Sequence, residues 1–236
     1  MHRHCVMRQA GSIALQCANV GTTERRLALR SDRLFEGLPQ VGGHPALDLV
    51  NTVEYRGRSD PRDHLKSLDQ LLAWCELSSL IDAGESRVLR ELADRSPVAC
   101  ERMLNEVSQL REAARKALGS KLKGAADASA AEFLRKRVER AARSVVVTLD
   151  GSGTSFKREH PIGALGSLVD RIALSIEDAF TIAARQSLRE CEGANCDWLF
   201  FDHSRSGRRR WCHPGECGNA ERVRRFRARQ AAHSFR

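Results

Sequence analysis

Cys191, Cys196, Cys212 and Cys217 are spaced C-x4-C-x15-C-x4-C. No other feature limits the fold of this chain so strongly. One ion held by four thiolates needs two short cysteine pairs, each turning its sulfurs toward a common point. Both pairs here span turn-forming residues, Gly193 in the first and Pro214 with Gly215 in the second. The expectation is one structural zinc, closed by four sulfurs and with no open position for catalysis. The alternative is four reduced cysteines without metal. His203 and His213 could each replace a thiolate, although His213, adjacent to Cys212, would need the chain to bend back. The other four cysteines, Cys5, Cys17, Cys75 and Cys100, have no ligand-like spacing. With no export signal they do not suggest a disulfide framework. Cys75 and Cys100 fall in helical patterns and read as buried apolar fillers.

Between the pairs, DWLFFDHSRSGRRRW contains two strand-like runs around a Ser/Gly turn. The expected module is a knuckle, a β-hairpin and a second knuckle opening a helix, a treble-clef arrangement. Trp198, Phe200, Phe201 and Trp211 would form the small core that such a module needs. If exposed, they would instead stack on unpaired bases, as in single-stranded RNA binding. The helix after Cys217 reads GNAERVRRFRARQAA. Asn219, Val223, Phe226 and Gln230 share one side of it, and Val223 and Phe226 are expected to pack on the hairpin aromatics.

The net charge is +9, and its position is informative. From Ser204 to Arg236 ten arginines stand against Glu216 and Glu221, while the preceding residues carry 29 basic and 28 acidic side chains. A nearly neutral body followed by a basic module implies an anionic partner. Arg222, Arg225 and Arg229 form one stripe of the helix, with Arg224 and Arg227 toward its other side. Together with Arg208, Arg209 and Arg210 they are the candidate nucleic-acid contacts. Some of the 208–210 run has a competing role, compensating the negative charge of a thiolate site.

Upstream, GGHPALDLVNTVEY starts a strongly apolar helical pattern after Pro45, with Asp48, Asn51, Thr52 and Tyr55 on one face. Either this polar stripe is bonded internally, or His44, Asp48, Asn51 and Thr52 line a ligand pocket. Leu65, Leu68, Leu72 and Cys75 mark the next helix, and further helices are expected near 85–94, 97–118 and 126–143, punctuated by Ser96-Pro97, Gly119 and Gly124. SVVVTLD, GSG and TSFKREH read as strand, turn and strand. After Pro161, Leu165, Leu168, Val169, Ile172, Ile176, Ala179, Phe180 and Ala183 form the stripe of a core helix. That helix runs into Cys191 without a Gly/Pro-rich linker, so the basic module is expected to be fixed to the body.

The run C-x4-C-x-W-x-F-x-D-x-S-R, followed by RRWC and CGN, resembles the CGNR zinc-finger family. GGHPALDLVNT resembles the opening of the ABATE domain that precedes this finger. The resemblance spans about residues 33 to 230. One departure is plain: Ala220 stands where the name-giving arginine would be. The resemblance implies an α+β fold, with a mainly helical N-terminal domain carrying a small β-sheet and a C-terminal treble-clef zinc module. It divides the chain into an extension (1–32, expected to be disordered), an ABATE-like domain (33–187), the CGNR-like finger (188–232) and a tail (233–236). It also implies a stress-related transcription regulator, and DNA rather than RNA as the partner. The expected protein is a cytoplasmic, zinc-dependent DNA-binding regulator whose N-terminal domain is a sensor or ligand-binding domain for a small-molecule effector or a stress cue. An adaptor docking an acidic protein and an RNA-binding protein are the alternatives. No nucleophile–base pair, P-loop or open metal site points to an enzyme. No apolar run reaches the length of a membrane span. The oligomeric state is left open.

Overall fold

The computed structural model describes residues 34–234, apart from residue 36. The expected extension therefore lies outside the described residues. Among the described residues, seven helices carry most of the fold. They are α1 (Pro45–Asn51), α2 (Leu68–Leu77), α3 (Ala83–Arg95), α4 (Pro97–Leu122), α5 (Ala128–Ala142), α6 (Leu165–Ala183) and α7 (Cys217–Ser234). Four two-stranded antiparallel sheets join them: β1 (Leu34–Phe35) with β2 (Leu38–Pro39), β3 (Val53–Glu54) with β4 (Arg62–Asp63), β5 (Val146–Leu149) with β6 (Phe156–Glu159), and β7 (Leu188–Glu190) with β8 (Leu199–Phe201). This is the expected α+β fold, dominated by helices. No helix among the described residues is long and apolar enough to cross a membrane.

Local chemistry sets the helix ends. Ser67 caps α2 through the Gln70 amide, and Asp82 with Glu85 forms a reciprocal capping box on α3. The cap at Ser67 moves the start of α2 past Leu65, which is half-buried in the preceding loop and not on the helix as the spacing suggested. Pro97 opens α4, where its missing N–H costs nothing. That helix does not stop at Gly119 but continues to Leu122. A Cβ at Gly119 would lie 2.5 Å from Arg115 Nη1, so the glycine leaves room for Arg115 to fold back along the helix. Arg115 then reaches Glu190 of β7 at 3.2 Å. In the β5–β6 hairpin, Asp150 accepts hydrogen bonds from Ser152, Thr154 and Ser155, which closes the predicted turn.

The principal core collects α1 to α6. Leu47, Leu49, Leu71, Leu72, Trp74, Leu110, Leu168 and Ile172 are fully buried. The α6 stripe is buried as predicted, except that Phe180 is only half-buried. Cys75 is fully buried and its thiol is pushed far up by burial, whereas Cys100 is half-buried.

α1 is shorter than its polar stripe suggested. It ends at Asn51, and Tyr55 lies beyond it with φ of 55°, off the helix. The Thr52 hydroxyl donates to the Leu49 carbonyl at 2.6 Å, and β-branched Thr52 and Val53 favour the extended chain that follows. Behind this corner the buried Arg111 donates to both carboxylate oxygens of Asp63 (2.8 and 2.6 Å) and to Thr52 Oγ1 (3.2 Å). Arg111 thereby ties α4 to α1 and β4.

The junction with the cysteine-rich module is a continuation of the core. Leu199 and Phe201 of β8 are buried in the principal cluster with Leu188 of β7. On one edge, β8 pairs with β7, and its flanking residues add Cys191 N–H to Trp198 O and Asp202 N–H to Ser187 O. On the other edge, Asn51 acts as a substitute strand. Its Nδ2 donates to Leu199 O and its Oδ1 accepts from Leu199 N–H, both at 2.9 Å. Next along, Phe201 N–H donates to Gly42 O at 2.8 Å. The open edge of β8 is thus sealed by the body, as buried backbone groups require.

Asn51→Leu is expected to lower stability by about 2–4 kcal/mol, because two buried backbone groups lose their partners. Asn51→Asp should cost at least as much, since a carboxylate would face the Leu199 carbonyl. Urea unfolding measures both, and a loss below about 0.5 kcal/mol for Asn51→Leu would show that other groups take over these bonds.

Candidate metal centre and basic helix

The four predicted cysteines converge. Their sulfurs all lie within 4.8 Å of one another, with Cys196–Cys212 at 3.7 Å and Cys212–Cys217 at 3.6 Å. A tetrahedral ion with zinc–sulfur bonds of ~2.3 Å sets its ligands ~3.8 Å apart. The cluster therefore fits one structural zinc, held by Cys191, Cys196, Cys212 and Cys217. The backbone supports thiolate at Cys191, whose sulfur receives N–H bonds from Gly193 (3.4 Å) and Cys212 (3.3 Å). Hydrogen bonds from Cys196 and Cys212 hold the Cys191 thiol well below its ordinary range, while contacts within the same cluster push Cys212 up. Four sulfurs this close ionise together only around a cation. Gly193 leaves little room at its place: a Cβ there would sit 3.2 Å from Cys217 Sγ, a sulfur that a bound ion would hold fixed. His203 is exposed, and His213 is half-buried with its imidazole against Gly215. Neither belongs to the cluster.

The module departs from the expected hairpin. β8 does not pair with the 208–211 run; it pairs with β7, so the first cysteine pair sits in the hairpin loop. The 208–211 run instead lies beside Cys191 and Glu192, with Glu192 N–H donating to Arg210 O at 3.0 Å. The second pair ends at Cys217, the first residue of α7, so the treble-clef arrangement holds. Of the aromatics, Trp198, Phe200 and Phe201 are buried and Trp211 is half-buried. Trp198 and Phe200 share a second, small core with Cys191 and Cys212. Leu38 of β2 and Val41 of the loop before α1 complete that core, which the sequence order did not suggest.

The eight candidate arginines fall into two groups. Arg209 lies over the Phe200 ring at 4.2 Å and donates to the backbone carbonyls of Trp211, Val41 and Cys212. It cements the module, and burial lowers its pKa. Arg210 pairs with Glu192. Arg222 donates to Gly218 O and Pro214 O, bracing the second knuckle. Arg224 and Arg225 both donate to Glu221, at 2.8–2.9 Å. These bonds push the Glu221 pKa down to about 2. Arg208, Arg227 and Arg229 are exposed and make no ion pair or side-chain hydrogen bond among the described residues.

Glu221 also explains why the apolar seam of α7 does not pack as predicted. The residues that α7 buries are Gly218 and Glu221. Phe226 follows Glu221 by five residues, about 140° around the helix, and so faces away from the body. Val223 is 40% exposed and Phe226 62%. The signal missed in the sequence was Glu221 itself, an acid flanked at i+3 and i+4 by arginines that neutralise it and let it turn inward.

The upstream residues are engaged locally. His44 caps α1 through Nδ1, which accepts from the Ala46 amide, and its Nε2 lies 3.1 Å from Asp178. Asp48 accepts from the Gly42 amide at 2.8 Å, Asn51 holds β8 and Thr52 holds Arg111. The space beside Asp48, Asn51 and Thr52 is about 10 Å³, room for at most one water. A larger cleft, about 520 Å³, lies between Glu54 and Tyr55 of the body, the Gly193–Cys196 knuckle, and the α7 face carrying Ala220, Glu221 and Arg224.

Metal analysis should find one zinc per chain. Cys196→Ser should lose it and also weaken the helical body, because Leu199 and Phe201 of the module belong to the body's core. Metal-free protein with an unchanged unfolding curve would contradict the assignment.

Comparison with known proteins covers both the body and the cysteine-rich module. No curated protein matches it significantly. Residues 187–230 match the CGNR zinc-finger family. Residues 43–183 match the ABATE family, described as "Putative stress-induced transcription regulator". The chain belongs to the ABATE family and carries the CGNR zinc finger as its C-terminal module.

Proposed function

We propose that the chain is a DNA-binding transcription regulator in which the zinc finger presents α7 to duplex DNA and the helical body responds to a small-molecule effector. It is read as a binding protein, not an enzyme. The observation that carries the reading is α7 itself. Zinc fixes its first residue, and from Arg222 to Ala232 its side chains are exposed, with Arg227 and Arg229 unpaired among the described residues. Arg208 adds a third such cation on the preceding loop. Clustered arginines without balancing acids suit phosphates, whose neutralisation releases counterions. Arg224 and Arg225 form a reserve, since phosphate can compete for them with Glu221. The regulator description of the family favours DNA over RNA. Burial of Trp198, Phe200 and Phe201 speaks against a base-stacking platform.

An effector suits the 520 Å³ cleft better than the Asp48–Thr52 stripe. A ligand there would touch the body at Glu54 and Tyr55 and α7 at Glu221 and Arg224, and so would alter which arginines α7 offers.

The test is the salt dependence of binding to duplex DNA. Replacing Arg208, Arg227 and Arg229 together with alanine should leave zinc bound. It should also flatten the slope of log affinity against log salt by about 0.9 for each phosphate that is no longer neutralised. Glu221→Gln should steepen the slope by freeing Arg224 and Arg225. Salt-independent or absent duplex binding by the wild type would sink the DNA reading and favour an adaptor for an acidic protein.

A further inference from the structure

α7 displays an apolar pair that the fold does not use. Val223 and Phe226 are large hydrophobic residues left exposed, at 40% and 62%. They lie one turn apart, in a strip that begins at Asn219 and ends at Gln230. At 100° per residue, Arg222, Arg225 and Arg229 flank the strip on one side and Arg227 on the other. An exposed phenylalanine enclosed by arginines needs a partner that is anionic at its margins and apolar at its centre.

We propose that Val223 and Phe226 are base-reading residues, which α7 inserts into the major groove of duplex DNA to contact the C5-methyl groups of thymine. The proposal rests on the DNA reading above and adds the specificity element that phosphate contacts lack. Dimensions support it. A helix with side chains is ~10–12 Å across, and the major groove of B-form DNA is ~12 Å wide, with phosphates on both rims. Arg229 on one flank and Arg227 on the other, both free of internal partners among the described residues, then reach the rims while the strip faces the base edges. Thymine offers the one apolar group on that floor, and side-chain amides such as Asn219 suit adenine beside it. The deep, narrow major groove of an RNA duplex would not admit the helix. Two apolar residues with amides at either end make a strip too short and too polar to hold a lipid surface.

Full-length, zinc-loaded protein and duplexes selected from random DNA provide the test. In a selected duplex, each thymine is replaced in turn by uracil, which removes only the methyl group. Wild type should lose about fourfold in affinity at one or more positions, the worth of a buried methyl. Phe226→Ala, or Val223→Ala for a neighbouring base, should abolish that difference. Zinc content and salt slope should stay unchanged, because no charge is removed. Both residues are exposed, so neither variant endangers the fold. Salt-dependent duplex binding that is indifferent to uracil everywhere, or a preference that persists in both variants, overturns the proposal and leaves the DNA reading standing. A DNA-free dimer that Phe226→Ala converts to monomer also overturns it and assigns the strip to a second copy of the chain. Absence of duplex binding removes both readings.

Discussion

The Asn51 side chain and the backbone of Leu199 exchange two hydrogen bonds, and the relation of body to zinc module depends on that exchange. β8 has only three residues, and one of its edges faces the interior. Without Asn51 and the Gly42 carbonyl, that edge would be buried with unpaired amides and carbonyls. With them, β8 can deliver Leu199 and Phe201 to the body's core while Trp198 and Phe200 turn to the module's own. The alternation of a strand assigns neighbouring side chains to two different cores. The module is thus held to the body by a shared strand, not hung from a flexible linker.

The module's positive charge is also apportioned. Five of its candidate arginines have internal work: Arg209 on Phe200 and three carbonyls, Arg210 on Glu192, Arg222 on the knuckle, and Arg224 with Arg225 on Glu221. Burial of the Arg209 guanidinium lowers its pKa, and the nearby Cys212, Asp202 and Cys191 offset part of that cost, as negative charge at a four-thiolate site would. Charge counting on the sequence overstates how many cations are on offer to a partner. The outward set is smaller, and on α7 it lies toward the end remote from the metal.

The cysteine spacing, α3–α6 and the β5–β6 hairpin are legible in the sequence because each is written in local pattern: turn residues within a pair, apolar periodicity, caps and a glycine turn. What is not legible depends on distant partners. Nothing in DWLFFD says that it will pair with the preceding LRE rather than the following RRRW. Leu38 and Val41 have no periodicity to mark them as part of a module about 150 residues away. The Val223–Phe226 seam is visible as a face, but periodicity does not say whether anything lies opposite. The end of α1 is obscured because the i, i+3, i+4 spacing of Asp48, Asn51 and Thr52 masks the β-branched Thr52-Val53 signal. The polar stripe does need partners, as its burial implies, and most of these are backbone groups.

The small core that joins Leu38 and Val41 to Trp198, Phe200, Cys191 and Cys212 has a consequence for how the chain folds. Bringing these segments together closes a loop of about 150 residues, whose entropic cost is met only once both ends are in place. On the ribosome the early segment emerges first and must wait for the last part of the chain. Until then the seat for β8, lined by Asn51 and the apolar side of α1, stands open to solvent. Zinc capture by the two cysteine pairs is local and can precede docking, whereas docking is the long-range event that completes the native topology. Zinc can thus organise the module before it docks, and the seat for β8 is filled only on docking.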